Sequence, residues 1–258
     1  MTEMDLSELS TNAHRHPWEV CRTEFLASVM GDHLKLNPEF TVLDVGAGDL
    51  FFSRFLHQRT SVAIDAVDHA FDDEEEQMIA IKKIKNLSTV LHKQYDAIFA
   101  LDVLEHVEQD QEFLDLIISL LKPGGKFLIT VPAYQRLFSF HDIKLRHYRR
   151  YRMKRLLNLI AGQNSIQIDE KFYFFHSLLY VRILEKFLQN FKKTDATDVA
   201  KGLKTINFWK YSQKHLVTRA LQMVLNVDAK ACRLLSKWGF RVPGLSAGMV
   251  LSKKSSAL

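Results

Sequence analysis

Thr41-Val42-Leu43-Asp44-Val45-Gly46-Ala47-Gly48-Asp49-Leu50-Phe51-Phe52-Ser53 is the stretch that decides the fold. Val42 to Val45 is a short β-branched run, Gly46 and Gly48 accept positive φ without a Cβ clash, and an apolar pattern at helical spacing restarts at Leu50. The spacing predicts strand, tight turn and helix, with bare backbone at the turn for a ligand to approach. The next strand, Ser61-Val62-Ala63-Ile64-Asp65, ends in an acid about twenty residues on, the distance at which a carboxylate clamps a ribose. A helix N-cap at Asp65 or Asp68 is the alternative. The dinucleotide fingerprint would put a third glycine where this chain has Asp49-Leu50-Phe51-Phe52. A carboxylate there repels a pyrophosphate, whereas Asp44 and Asp49 suit a ligand carrying a sulfonium and an amino group.

From these residues the chain resembles the class I S-adenosylmethionine-dependent methyltransferases. Val42 to Gly48 matches their first motif and Asp65 their ribose acid. Tyr95 to Val107 matches the fourth strand and its exit, and Leu121 to Pro132 the Lys122-Pro123-Gly124-Gly125 turn and fifth strand. The resemblance implies an α/β, Rossmann-like, seven-stranded, mostly parallel sheet with helices on both faces. It also implies S-adenosyl-L-methionine as cofactor and S-adenosyl-L-homocysteine as product, held by Asp44, Gly46, Gly48, Asp65 and Asp102, with Trp18 on a leading helix covering the pocket. The loop Lys85-Asn86-Leu87-Ser88 lacks the Asp that often bonds adenine in this family, which leaves Asn86 or backbone groups for that task. Asp102-x-x-Glu105-His106 resembles the Glu-x-x-Glu-His metal site of ubiquinone-pathway O-methyltransferases, with Asp for the first Glu; opening a helix is the other use of those letters.

The chain has 258 residues, 47% of them hydrophobic, enough for one sizeable α/β domain with an addition. Two cysteines, Cys21 and Cys232, are too few for a disulfide framework or zinc cluster and read as plain thiols in a reducing compartment. The acidic opening residues carry no secretory signal, and no run approaches the roughly eighteen apolar residues of a span, so a cytoplasmic protein is expected. Net charge +5 hides an asymmetry: residues 1–135 hold 11 basic and 23 acidic side chains, residues 136–258 hold 24 and 7. The basic, aromatic half points to an anionic acceptor, an anionic membrane surface on which the protein sits peripherally, or nucleic acid; a solvated basic face is the plain alternative.

Residues to about Thr11 read as a tail, and Pro17 opens a helix through Met30. The acidic block Asp68 to Glu76 reads as an exposed loop where a helix would normally stand, followed by a third strand over Met78 to Ile84. After the fifth strand, residues 133–151 pack His141, Asp142, His147, Tyr148 and several arginines into one exit segment. His141, His147 and Tyr148 are the candidates for acceptor contact, a neutral imidazole serving as base. Alternatively His147-Tyr148-Arg149-Arg150-Tyr151 anchors the next helix; the run resembles a bacterial methyltransferase subgroup.

Strands six (Ser165 to Phe174) and seven (Gly248 to Ser252) are separated by an apolar, aromatic, Lys- and Arg-fringed helical stretch. The expected organisation is a core of 1–174 and 246–258 with a helical insertion over 175–245 acting as lid, membrane dock or homodimer interface. The expected reaction is methyl transfer, at oxygen, to a small-molecule or lipid-linked acceptor. An RNA or other nucleic-acid methyltransferase is the first rival, but strand four ends without the Asn/Asp-Pro-Pro-Tyr used on flipped bases. A non-catalytic cofactor-binding partner module and a nicotinamide oxidoreductase are the others.

Overall fold

The computed structural model describes residues 15–72, 80–191, 216–240 and 242–255. The leading tail, the acidic block from Asp73 onward and the middle of the insertion lie outside these residues. Seven strands form one sheet: β1 Thr41–Val45, β2 Ala63–Val67, β3 Ile81–Ile84, β4 Tyr95–Leu101, β5 Leu121–Pro132, β6 Ile166–Phe174 and β7 Ser246–Lys253. Their order is β3-β2-β1-β4-β5-β7-β6, with only β7 antiparallel to its neighbours. The α/β class and the mostly parallel sheet are therefore as expected.

Alternation along the strands builds two cores. Val42, Ile64, Ala97, Phe99 and Leu128 face α1 (Pro17–His33) and α2 (Phe51–Thr60), while Leu43, Ile98, Phe127 and Ile129 face α3 (Asp110–Ser119) and α5 (Met153–Ile160). Such two-sided burial is why β1 and β4 read as continuous apolar runs. The short helix α4 (Phe140–Lys144) follows β5, and α6 (His176–Phe191) and α7 (Leu216–Lys237) lie between β6 and β7.

The insertion is not a detached body. Leu225 and Ala229 of α7 are buried with Phe25 of α1 and Phe172 of β6, each large side chain contributing about 1.5–3 kcal/mol. Arg233 fastens the same helix, with Nε 2.7 Å from Glu170 Oε1 and Nη1 2.7 Å from Asp32 Oδ2. The outer face of α7 leaves Val217, Val224, Val227 and Leu234 exposed. Cys21 and Cys232 are free and buried, and burial pushes each thiol up to about 12, so both are inert apolar packing.

The carboxyl end of β2 moved. It runs to Val67, two residues past the expected end; of the expected third strand Ile81–Ile84 is β3, and Met78 and Ile79 lie outside the described residues. The shift in β2 changes the site.

Candidate active site

The turn after β1 behaves as its glycines require. Gly46 has φ 70° and Gly48 φ 52°. Gly46 N–H and Ala47 N–H donate to Val67 O at 2.8 and 3.1 Å, pinning the turn to the end of β2. A Cβ on Gly46 would stand 2.5 Å from Val103 Cγ2, so this glycine lets the exits of β1 and β4 approach; a Cβ on Gly48 meets nothing within 4 Å. Behind the turn Asp44 is buried and accepts from Ser53 Oγ at 2.5 Å; burial raises its carboxyl to about 7.

The acid at the carboxyl end of β2 is Asp68, not Asp65. Asp68 Oδ2 accepts from Gly48 N–H at 2.8 Å and Oδ1 from Ala70 N–H at 2.9 Å. Asp65 lies mid-strand, and its Oδ2 takes Lys93 Nζ and Tyr95 Oη, both at 2.7 Å. It lines a separate cavity of about 680 Å³ with Thr41, Lys82 and Lys122, at the amino end of β1 and β4. Ligands of open α/β sheets bind beyond the carboxyl ends, so Asp65 is on the wrong edge. The expectation for Asp49 also fails, because its carboxylate is paired with Arg15, whose guanidinium stacks 3.9 Å over Phe51. Asn86 follows β3 at that carboxyl edge, exposed and without a capping bond.

A cavity of about 500 Å³ opens beyond β4 and β5, walled by Trp18, Asp102, Glu105, His106, His141 and His147, with Val181 and Arg182 of α6 on its far side. Trp18, from α1, is part of that wall. Asp102 is left-handed, φ 59°, and its carboxylate is committed: Oδ2 lies 2.9 Å from Arg22 and Oδ1 accepts from Thr130 Oγ1 at 3.0 Å. Arg22, on α1, also donates to Thr130 Oγ1 at 3.2 Å. Nothing in its sequence context marked it, since the pairing is 80 residues apart.

Asp142 organises the exit segment. It is fully buried and accepts from Arg150 Nε at 2.7 Å, Arg150 Nη2 at 3.1 Å, Ser139 N–H at 2.9 Å and His147 Nδ1 at 3.0 Å. Burial alone would raise its carboxyl, but the hydrogen bonds from His147 and Arg150 win and hold it far below the usual range. An ionised carboxylate only accepts, so the His147 Nδ1 that faces it carries a proton, and Nε2 is the ring nitrogen that Asp142 does not engage. The His147 ring meets His106 edge-on, centroids 4.6 Å apart. His141 lines the same cavity; burial, with Arg182 adding to it, lowers its pKa, and burial followed by His147 lowers that of His106.

Tyr148 does not join them. Its side chain is 53% exposed and lies under Arg149, while its backbone N–H donates to Glu105 O at 2.7 Å. Arg149 and Tyr151 clamp Asp110 at 2.9 and 3.0 Å, so the His-Tyr-Arg-Arg-Tyr run divides: His147 and Arg150 line the pocket, and Arg149 and Tyr151 anchor the segment.

The expected metal set is also redistributed. Among the described residues Glu105, His106 and His147 bring possible ligand atoms within 4.8 Å of one another, His147 taking the place foreseen for Asp102. Glu105 is 1% exposed with Oε2 lacking any hydrogen-bond partner, and burial followed by Asp102 holds its carboxyl well above its usual range. A buried orphan carboxylate oxygen beside two imidazoles fits a divalent cation.

A family profile described as methyltransferase domain matches residues 21–187, about two thirds of the chain. The chain belongs to the class I S-adenosylmethionine-dependent methyltransferases. Among curated relatives, this methyltransferase is 32% identical to the ubiquinone biosynthesis O-methyltransferase of Rickettsia bellii over 117 residues, 42% of this chain and 49% of that protein. It spans about half the length of that relative. Its fold is shared with the [4+2]-cyclase SpnF (TM-score 0.54, 13% identity, 96% and 86% of the chains). It is shared too with the plantazolicin methyltransferase BpumL, solved in complex with a monoazolic desmethylPZN analog and SAH (0.51, 12%, 97% and 88%). The cyclase shows that this fold does not by itself fix a reaction.

Proposed function

We propose that the methyltransferase transfers the methyl group of S-adenosylmethionine to a hydroxyl of a small-molecule or lipid-linked acceptor bound in the His-lined cavity. The observation that carries this reading is the Asp142–His147 pair, a carboxylate-oriented imidazole at the cavity wall. Gly46, Gly48 and Asp44 would hold the cofactor's methionine end, Asp68 its ribose and Asn86 its adenine, with Trp18 and Asp102 bordering the reacting centre.

Bound at that edge, the cofactor supplies an already reactive methyl sulfonium. The protein's share is alignment, exclusion of water and one proton transfer. His147 would take the hydroxyl proton as the acceptor oxygen is methylated. Asp142 stabilises the imidazolium that results. The apolar side of the cavity, Leu145, Phe175, Leu178 and Val181, suits an acceptor with a hydrocarbon portion.

One observation favours a second arrangement of the same residues: the unpartnered Glu105 Oε2. Glu105, His106 and His147 would then hold a divalent cation, which lowers the pKa of a coordinated hydroxyl. Two measurements test the proposal. Radiolabelled methyl transfer into a lipid extract and a phenolic acceptor panel is expected to give an alkali-stable product, with Asp142→Asn slower by about 10²-fold or more; a base-labile methyl ester or a nitrogen-linked label overturns transfer to a hydroxyl. Manganese titration followed by paramagnetic resonance is expected to show a bound signal that Glu105→Gln abolishes; no bound signal leaves His147 as a metal-free base.

A further inference from the structure

The cavity of the methyltransferase opens between α4 and α6, and the rim there is apolar. Phe140 and Ile143 of α4 are 52% and 60% exposed, and Val181, Leu184 and Phe187 of α6 are 53%, 57% and 56% exposed. The two helices are joined: Arg182 Nη2 donates to Ser139 Oγ at 2.7 Å, and Lys186 Nζ reaches the carbonyl of Arg136. Val181 belongs to both surfaces, lining the cavity and standing on the outer stripe. The apolar lining therefore continues outward without a polar break at that residue.

Charge says what this rim meets. Asp142 is the sole acid between Ala133 and Ile160, and it is buried beneath Arg150 and His147. Arg136, Lys144 and Arg146 are exposed on that same segment. Exposed apolar side chains bordered by these cations, beside a helix α6 whose sequence adds Arg182 and Lys186 against the single acid Glu185, match an anionic lipid interface. No helix among the described residues is long and apolar enough to cross a membrane, so contact is from one side.

We propose that α4 and α6 seat the protein on an anionic phospholipid bilayer, so that an acceptor with an apolar tail enters the cavity from the membrane along Val181. This rests on the proposed lipid-linked acceptor for its purpose, and on the rim itself for its chemistry. Basic residues steer and hold the surface through headgroup charge, and Phe140, Ile143, Leu184 and Phe187 enter the interfacial layer. Docking of this kind raises local acceptor concentration without a change in the catalytic groups.

The test is flotation of the full chain with phosphatidylcholine vesicles with and without phosphatidylglycerol, alongside cofactor titration and light scattering of the same samples. Binding is expected only with phosphatidylglycerol, falling as salt is raised. Ile143→Glu with Leu184→Glu is expected to abolish it, and Arg136→Ala with Lys144→Ala to weaken it about 25-fold, roughly five-fold per charge. Cofactor affinity and melting temperature should hold in both pairs; the charge pair serves if the apolar pair fails to fold. Absence of vesicle binding, or binding that neither pair weakens, overturns the proposal. So does a dimer that the apolar pair dissociates while vesicle binding is absent, which would assign the rim to a second copy. Failure of the proposed function is distinguishable, because cofactor binding would then be missing whatever the vesicles show.

Discussion

Asp142 was visible in the sequence only as one acid among histidines and arginines, yet it fixes the tautomer of His147 and the position of Arg150. Its partners lie five and eight residues on, across a turn that no periodicity predicts, so composition flagged the segment and geometry chose the roles. Asp44 supports a pH prediction. Its folded carboxyl sits near 7 because of burial, above an ordinary carboxylate, so the folded state holds a proton that the unfolded chain has lost. Stability contributed there is present at acidic pH and declines as pH rises toward about 7. A cationic ligand group would reverse the preference and expel that proton. Calorimetry near pH 7 in buffers of different ionisation enthalpy should register release of up to one proton on cofactor binding, and Asp44→Asn should abolish it. Gly46 and Gly48 separate by the same logic. Gly46→Ala adds a clash with Val103 to its strained φ and should cost about 2–4 kcal/mol in denaturant unfolding. Gly48→Ala meets open space, bears only the strain of about 1–2 kcal/mol, and should weaken cofactor binding more than it weakens the fold.

At the scale of elements, legibility followed burial. β1, β4 and β5 were found because strands buried on both faces leave long apolar runs, and the glycine turn was found because positive φ leaves few alternatives. β2 was found but ended early. Ser61-Val62-Ala63-Ile64-Asp65-Ala66-Val67-Asp68 offers two acids three residues apart, and the distance from the turn fits either one. What separates them is register: Val45 pairs with Val67, which puts Asp68 level with the glycines and leaves Asp65 near Lys93 and Tyr95. Register is a property of two strands, so one strand's letters could not supply it. α1 shows the same limit. Pro17 and the capping His16 mark its start, but the reach of Arg22 to Asp102 and Thr130 depends on how the helix lies across the sheet.

Across the whole molecule, the charge asymmetry has a structural outlet. Acids of the first half and bases of the second meet directly at Arg149–Asp110 and Arg233–Asp32, so part of the basic excess is internal mortar rather than ligand surface. The part left on the α4–α6 rim borders exposed hydrocarbon, which is why the membrane reading belongs there and not to the basic half at large. The insertion was legible as helices, but the role of α7 was not. Its inner face carries Leu225 and Ala229 into the core with Arg233 locked on Glu170. Truncating that buried guanidinium strands a buried carboxylate, so Arg233→Ala should lower stability by about 3–5 kcal/mol in denaturant unfolding, far beyond a detached lid's effect.

The central claim is that the cofactor sits at the carboxyl edge of β1 and β2 with Asp68 on its ribose. Calorimetric titration of S-adenosylmethionine and S-adenosylhomocysteine into the wild-type protein, Asp68→Ala and Asp65→Ala tests it most directly. The account predicts micromolar binding that Asp68→Ala weakens by roughly ten-fold or more and Asp65→Ala leaves nearly unchanged. Loss of binding in Asp65→Ala with Asp68→Ala intact would contradict it, and binding of neither ligand to the wild type would overturn the enzymatic reading altogether.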